Sequence, residues 1–230
     1  MSTRNTNLDE MKKEYWAENI HSFSGFYDKG SEEKIKAPYL LSWAYKKWIF
    51  SIEKKYMFKR YQMVLEFLEK NASRDKKIAD VGCGSGIYTK YLLERQIPVY
   101  ALDYTNQALE LTKSNCATLD LSLLKCIQID ILKNSIPCVD IAFAIGILPY
   151  IEDYKLFFKN ILPYTRIILF NLLDSENWIN RLRKILPFLN VRYYSYHRLS
   201  EIEKELQVYH YKITKLTKLA SGWMIEAQQG

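Results

Sequence analysis

Ile78-Ala79-Asp80-Val81-Gly82-Cys83-Gly84-Ser85-Gly86-Ile87-Tyr88 is the stretch that decides the fold. It reads as a short apolar strand carrying an acid, then glycine at every second position, then the start of a helix. Glycine there allows positive φ and lets the backbone approach a ligand with no Cβ in the way. Downstream, short apolar runs alternate with helical patterns. Strands are predicted at Lys77–Val81, Val99–Leu102, Leu124–Ile129, Val139–Ile145 and Arg166–Phe170, and helices near Ile87–Arg95, Asn106–Ala117, Asp153–Leu162 and Glu176–Leu186. Such alternation implies an α/β fold with a doubly wound, mostly parallel sheet. A helix near Ser200–Leu206 and two final runs, Gln207–Lys215 and Trp223–Ala227, complete seven strands, the last two as an antiparallel hairpin.

Upstream of Asn71 the texture is helical and rich in aromatics and lysines, with one Gly-containing break at Ser24–Ser31. Ala37–Phe50 and Tyr56–Leu68 carry apolar residues at near-helical spacing. The expected organisation is an N-terminal helical lid or appendage over 1–72 and a main domain over 73–230, with a lid insertion near 171–200.

The 230 residues are 48% hydrophobic, with 18 Tyr and only 8 Gly and 6 Pro, so a packed globule is expected rather than disorder. A net charge of +7 suggests an anionic partner: nucleic acid, an acidic membrane surface, or a substrate bearing carboxylate or phosphate. The four cysteines have no CxxC pairing and no histidine at zinc-ligand spacing, which supports neither a metal site nor a disulfide scaffold. The polar first residues and the lack of a long apolar run point to a soluble, cytoplasmic protein.

Which ligand the glycine turn takes is a matter of spacing. A dinucleotide fingerprint, GxGxxG, needs glycine where Ile87 stands, whereas here the third glycine is Gly86. A Walker loop would need a following Gly-Lys-Ser/Thr. Asp80 can accept a hydrogen bond from the ammonium of a methionine moiety, while a carboxylate beside a pyrophosphate would repel it. These features favour S-adenosylmethionine over NAD. Val99-Tyr100-Ala101-Leu102-Asp103 ends the next strand in a second acid, suited to both ribose hydroxyls, and Ile127-Gln128-Ile129-Asp130-Ile131 ends another where an adenine amino group would lie. The rival role for Asp103 and Asp130 is to cap the helices that follow.

This order of strand-terminal features, from Ile78 to about Phe170, resembles the class I S-adenosylmethionine-dependent methyltransferases. The resemblance implies cofactor contacts from Asp80, Gly82, Cys83, Gly84, Gly86, Asp103, Tyr104, Asp130 and Ile131, with Ile145, Gly146 and Ile147 lining the transfer site at the end of the fourth strand. Many small-molecule members of that family place a histidine soon after this strand. Here the stretch is Leu148-Pro149-Tyr150-Ile151-Glu152-Asp153, which also lacks the Asn/Asp-Pro-Pro-Tyr box of adenine and glutamine methyltransferases. DNA adenine methylation is thereby disfavoured, and no second nucleic-acid module is present.

Methyl transfer requires chiefly that the acceptor be positioned and water excluded; a base is needed only for an acceptor that must lose its proton. Candidate catalytic residues are Tyr150, which can equally pack over the sheet edge, His197 and His21. Tyr15, Trp16 and Tyr27 are candidates to close the site, Tyr150 to orient the acceptor, His197 to face the substrate, and Arg181, which can equally be solvent-exposed, to hold an anionic one. His210, in a strand-like run, reads as structural. The basic-aromatic stretch Lys34–Arg60 reads first as a solvated face around buried aromatics, although contact with RNA or a membrane surface is its alternative. The expected activity is methylation of a small, anionic molecule, with oxygen the favoured acceptor atom. Two alternatives stay open: a lipid-linked, tetrapyrrole or peptide acceptor, and a non-catalytic S-adenosylmethionine-binding regulator.

Overall fold

The computed structural model describes residues 50–185 and 194–230. Their element order is α1 (Phe50–Asn71), β1 (Ile78–Val81), α2 (Ile87–Glu94), β2 (Val99–Asp103), α3 (Asn106–Asn115), β3 (Leu124–Gln128), β4 (Ile141–Ala144), α4 (Tyr154–Ile161), β5 (Ile167–Leu173), α5 (Trp178–Ile185), α6 (Leu199–Val208), β6 (Tyr211–Lys218) and β7 (Gly222–Gln229). Short 3-10 turns at Leu121–Leu123, Leu148–Tyr150 and Leu162–Tyr164 connect some of these. The strands form one sheet in the order β3-β2-β1-β4-β5-β7-β6. β1 to β5 are parallel, and β7 pairs antiparallel with both β5 and β6. This is the seven-stranded, doubly wound sheet with an antiparallel C-terminal hairpin that the alternation implied.

Strands covered on both faces need apolar residues on both, which is why β1 and β4 are buried at every position. Alternate residues feed two cores. On one face, Val64, Phe67 and Leu68 of α1 and Leu92 of α2 pack with Ile78, Phe143 and Leu169. On the other, Phe157, Phe158 and Ile161 of α4 and Leu206 of α6 meet Ala142, Phe170 and Ile225. Val64, Phe67 and Leu68 follow the i, i+3, i+4 spacing of a helix laid on a surface. The C-terminal half of α1, expected to belong to an appendage, is therefore part of the sheet's helical layer.

Three expectations need correction. Strand was expected from Gln207, but α6 continues to Val208, and Tyr211 begins β6. His210, expected inside a strand, is an exposed turn residue with φ 60, its carbonyl accepting from the Gly230 N–H. β5 was expected to end at Phe170 and instead runs to Leu173, because β7 pairs along it as far as Leu173↔Gly222. The helix expected over Ala37–Phe50 lies, except for its last residue, outside the described residues, as do Tyr15, Trp16, His21 and Tyr27.

Candidate functional site

In the sheet, the strand order reverses between β1, which leads on to β2, and β4 on its other side. In open α/β sheets the crevice at such a switch point, beyond the carboxyl ends of the strands, is where ligands bind. The glycine turn leaves β1 at this point. The N–H groups of Gly82 and Cys83 both donate to the Leu102 carbonyl, at 2.7 and 3.0 Å, and so hold the loop against β2. Gly82 has φ +71, and a Cβ on it would overlap the Ile147 side chain, so the exit of β4 sits directly on the loop. Gly86, at φ +73, is the N-cap of α2, and a Cβ there would lie 2.6 Å from Thr112 Cγ2. Alanine at either position would meet both strain and collision.

Helix α3 clamps the same loop from the other side. Thr112 Oγ1 donates to the Gly84 carbonyl at 3.1 Å, and Asn115 Nδ2 donates to the Ser85 carbonyl at 2.9 Å. Cys83 is buried with its Sγ 3.5 Å from Thr112 Oγ1, and burial pushes its thiol well above the usual range, which makes it a packing residue rather than a nucleophile. Neither Thr112 nor Asn115 was singled out in the sequence, where each is only a polar residue in a helical pattern.

Two buried carboxylates face this loop. Asp103 Oδ2 accepts from the Gly84 N–H at 3.1 Å, and its Oδ1 accepts from the Thr105 N–H and Oγ1 at 2.9 and 3.0 Å. A carboxylate offers about four acceptor sites, so Oδ2 retains one for a further donor. Asp80, 3% exposed, accepts from Thr89 Oγ1 at 2.8 Å. Burial pushes the Asp80 carboxyl up to about 7; the Thr89 bond opposes this and the nearby Asp103 charge adds to it. Burial likewise raises Asp103, against the donors at Thr105 and Gly84. Neither acid has an ion pair among the described residues. A pair of buried acids beside a loop with glycine at every second position fits a ligand that brings hydroxyl donors and a positive charge.

The Tyr104 phenol is raised by burial and then by the charges of Asp103 and Asp130. Asp130 caps its own turn: its Oδ1 accepts from the Leu132 N–H at 3.2 Å, and Lys133 Nζ stands 3.5 Å from Oδ2. The capping role weighed against an adenine contact is thus built in. Ile131 packs on the core, and its carbonyl accepts from Asn160 Nδ2 at 2.7 Å.

At the end of β4, Ile145 and Gly146 are half-buried. The Gly146 N–H donates to Oδ1 of Asn171, a buried β5 residue, at 2.6 Å. Arg60 of α1 reaches the same point, its Nη1 3.7 Å from where a Gly146 Cβ would stand. Beside it, the rings of Tyr61 and Tyr88 stack at 5.7 Å, and Tyr88 meets Phe143 edge-on. The sequence placed Arg60 only at the end of a basic stretch.

Tyr150 sits in the turn after β4, half-buried, with its ring 5.3 Å from that of Tyr194. His197, weighed as a base against a surface histidine, is neither an exposed residue nor an open one. It is 6% exposed, its Nε2 lies 2.8 Å from the Ile151 carbonyl, and its ring packs on Tyr154. Burial lowers its pKa, the Ile151 carbonyl opposing, so the ring is neutral near pH 7 and ties the segment after β4 to the return from α5. Backbone bonds reinforce the join, Ser195 N–H to the Pro149 carbonyl and His197 N–H to the Leu173 carbonyl. Arg181 is exposed on α5. Among the described residues no group of three or more His, Cys, Asp or Glu can hold a metal ion.

Residues 79–166 match the family model described as a methyltransferase domain. A stretch of 47 residues is 47% identical to the probable cobalt-precorrin-6B C(15)-methyltransferase (decarboxylating) of Methanocaldococcus jannaschii, covering 20% of this chain and 26% of that protein. The match thus spans about a quarter of the relative's length. Among solved structures, magnesium protoporphyrin IX methyltransferase from Synechocystis PCC 6803 with bound S-adenosylhomocysteine superposes with a TM-score of 0.73 at 13% identity, covering 96% of this chain and 98% of that one. The N-methyltransferase NodS from Bradyrhizobium japonicum WM9 gives 0.59 at 13% identity, over 76% and 87%. The sheet is that of the class I S-adenosylmethionine-dependent methyltransferases. The match to the methyltransferase-domain model is confined to residues 79–166, which carry the glycine loop and strands β2 to β4.

Proposed function

We propose that this chain transfers a methyl group from S-adenosylmethionine to a small anionic acceptor, with oxygen the favoured acceptor atom. The observation that carries the cofactor half is the Asp80–Asp103 pair around the Gly82–Gly86 loop, buried and without a cationic partner among the described residues. Asp103 would take the ribose hydroxyls through its remaining acceptor site, and Asp80 would supply negative charge towards the ammonium. Asp130 and Tyr104 would border the base. When bound, the cofactor supplies an electrophilic methyl on a sulfonium. The chain's own part is to aim the acceptor at it and exclude water.

The acceptor half of the reading rests on Arg60 at Gly146. A guanidinium beside the end of β4 is suited to hold a carboxylate or phosphate in a fixed orientation. A carboxylate acceptor arrives ionised and needs no base, which accords with the burial of His197. Tyr150, and the aromatics Tyr15, Trp16 and Tyr27, remain proposed as residues that bound the acceptor; His21 remains proposed for a proton-handling role. Arg181 lies on the exposed side of α5.

A tetrapyrrole acceptor is favoured as the second reading by the names of two relatives, a magnesium protoporphyrin IX methyltransferase and a probable cobalt-precorrin-6B methyltransferase. Protoporphyrin, a large, flat, apolar ligand bearing carboxylates, meets the same demands on Arg60.

Calorimetric titration tests the cofactor half. S-Adenosylhomocysteine should bind with micromolar affinity, and Asp103→Ala should weaken it at least about tenfold, or ~1.4 kcal/mol. Unchanged affinity in that variant, or tight binding of NAD instead, would sink the assignment. The acceptor half is tested by label transfer from methyl-labelled S-adenosylmethionine to protoporphyrin and to smaller carboxylates. Arg60→Met should raise KM for whichever is methylated, with far less effect on cofactor affinity.

A further inference from the structure

Helix α5 turns the wrong face outwards for a residue pattern that belongs in a core. Its sequence, WINRLRKI, carries three cations and no anion. Trp178 is 72% exposed and Ile185 74% exposed, although they stand two turns apart on one side of the helix. The opposite side is fixed to the domain. Asn180 is fully buried, and its Nδ2 donates to the carbonyls of Asp174 and Ser221 at 2.7 and 2.6 Å. Arg181 and Lys184 are exposed beside the apolar side, with Lys184 Nζ 5.4 Å from the Tyr196 ring. The sequence that follows, Leu186-Pro187-Phe188-Leu189, continues apolar.

We propose that α5 docks this protein on an anionic lipid surface, lying in the interface with Trp178 and Ile185 inserted and Arg181 and Lys184 against the lipid phosphates. An exposed tryptophan and isoleucine separated by two turns, with a basic flank, is the pattern of an interfacial helix. Charge complementarity selects an acidic leaflet, since the helix has no acid to be repelled by it. Nucleic acid is the poorer match, because the two strongly exposed apolar side chains on this face, Trp178 and Ile185, offer no phosphate contact. The attachment is interfacial rather than spanning, as no described helix is long and apolar enough to cross a membrane. Helix α5 directly follows β5, the strand whose Asn171 holds the end of β4, so the docked face brings the acceptor side of the site close to the bilayer.

Co-sedimentation of the full chain with vesicles tests this without any methyl transfer, so its failure and that of the functional reading are distinguishable. Binding is expected to vesicles of phosphatidylglycerol and phosphatidylcholine, and to be much weaker on phosphatidylcholine alone. Trp178→Ser and Ile185→Ser should each weaken it, their combination at least about tenfold. Arg181→Glu with Lys184→Glu should also abolish the preference for the anionic vesicles. All these variants should keep the parent's melting temperature and S-adenosylhomocysteine affinity. No binding by the parent protein, or equal binding by the variants, overturns the proposal. So does a fall in melting temperature of several degrees in Trp178→Ser, which would mean that the chain itself covers this face. Loss of a dimer in the same variant, seen by sedimentation, would assign the face to a second copy instead.

Discussion

Asp80 couples the site to pH. Its carboxyl is raised from 3.8 to about 7 by burial, so between those values the folded chain holds a proton that the unfolded chain has lost. Stability therefore falls as pH rises through this window, by at most about 4 kcal/mol. Melting temperatures should be higher at pH 5 than at pH 8, and Asp80→Asn should flatten the difference while still accepting from Thr89. A cationic ligand bound beside Asp80 favours the ionised form, so cofactor binding near pH 7 should release protons. His197 makes the contrasting case. Its Nε2 lies on the Ile151 carbonyl, so His197→Ala leaves that buried acceptor unpaired and should cost about 1–3 kcal/mol in denaturant titrations, whereas His197→Gln should recover part of it. At this scale the sequence was legible where one residue type has one use, as at the positive-φ glycines Gly82 and Gly86. Thr89, Thr112, Asn115 and Asn171 were not, because each acts on a partner brought near only by the fold, Asn171 on a residue 25 positions away.

Elements were read well where the pattern is local. β1, β2, β4 and β5 are largely apolar runs between helices, and their presence follows from four or five consecutive residues. Misreadings fell where a distant partner decides. β5 extends to Leu173 because β7, some fifty residues later, supplies the ladder. α6 continues past Leu206, its Ile202 and Leu206, one turn apart, both buried, although Tyr209, Tyr211 and Ile213 give this run a strand-like alternation. The join between β4 and β5 is likewise tertiary. Asn171→Leu would leave the Gly146 N–H without its acceptor, and should lower stability by about 1–3 kcal/mol while also weakening cofactor affinity through the displaced end of β4. Chemical denaturation and calorimetry would separate the two effects.

For the molecule as a whole, the division of the chain is the point on which the structure adds most. The aromatic and lysine-rich composition of α1 resembles that of the residues before it, so the sequence grouped them together. Burial of Val64, Phe67 and Leu68 against the sheet was invisible without the sheet. Phe67→Ala should cost about 3–5 kcal/mol, as for any large core residue, and deletion of residues 1–71 should leave a domain that does not unfold cooperatively. A chain beginning at residue 72 that melts sharply would show the opposite.

The position of β7 bears on how the protein is made. Of the seven strands it is the last to leave the ribosome, yet it is seated between β5 and β6 rather than at an edge. While the residues after Leu173 are being added, at roughly 5–20 per second, the almost wholly apolar β5 has no partner on one side. A nascent chain therefore spends seconds with a sticky, unpaired strand exposed, the template on which neighbouring polypeptides pair. Deletion of Gly222–Gln229, which contains none of the proposed site, should yield insoluble protein rather than a weakened enzyme.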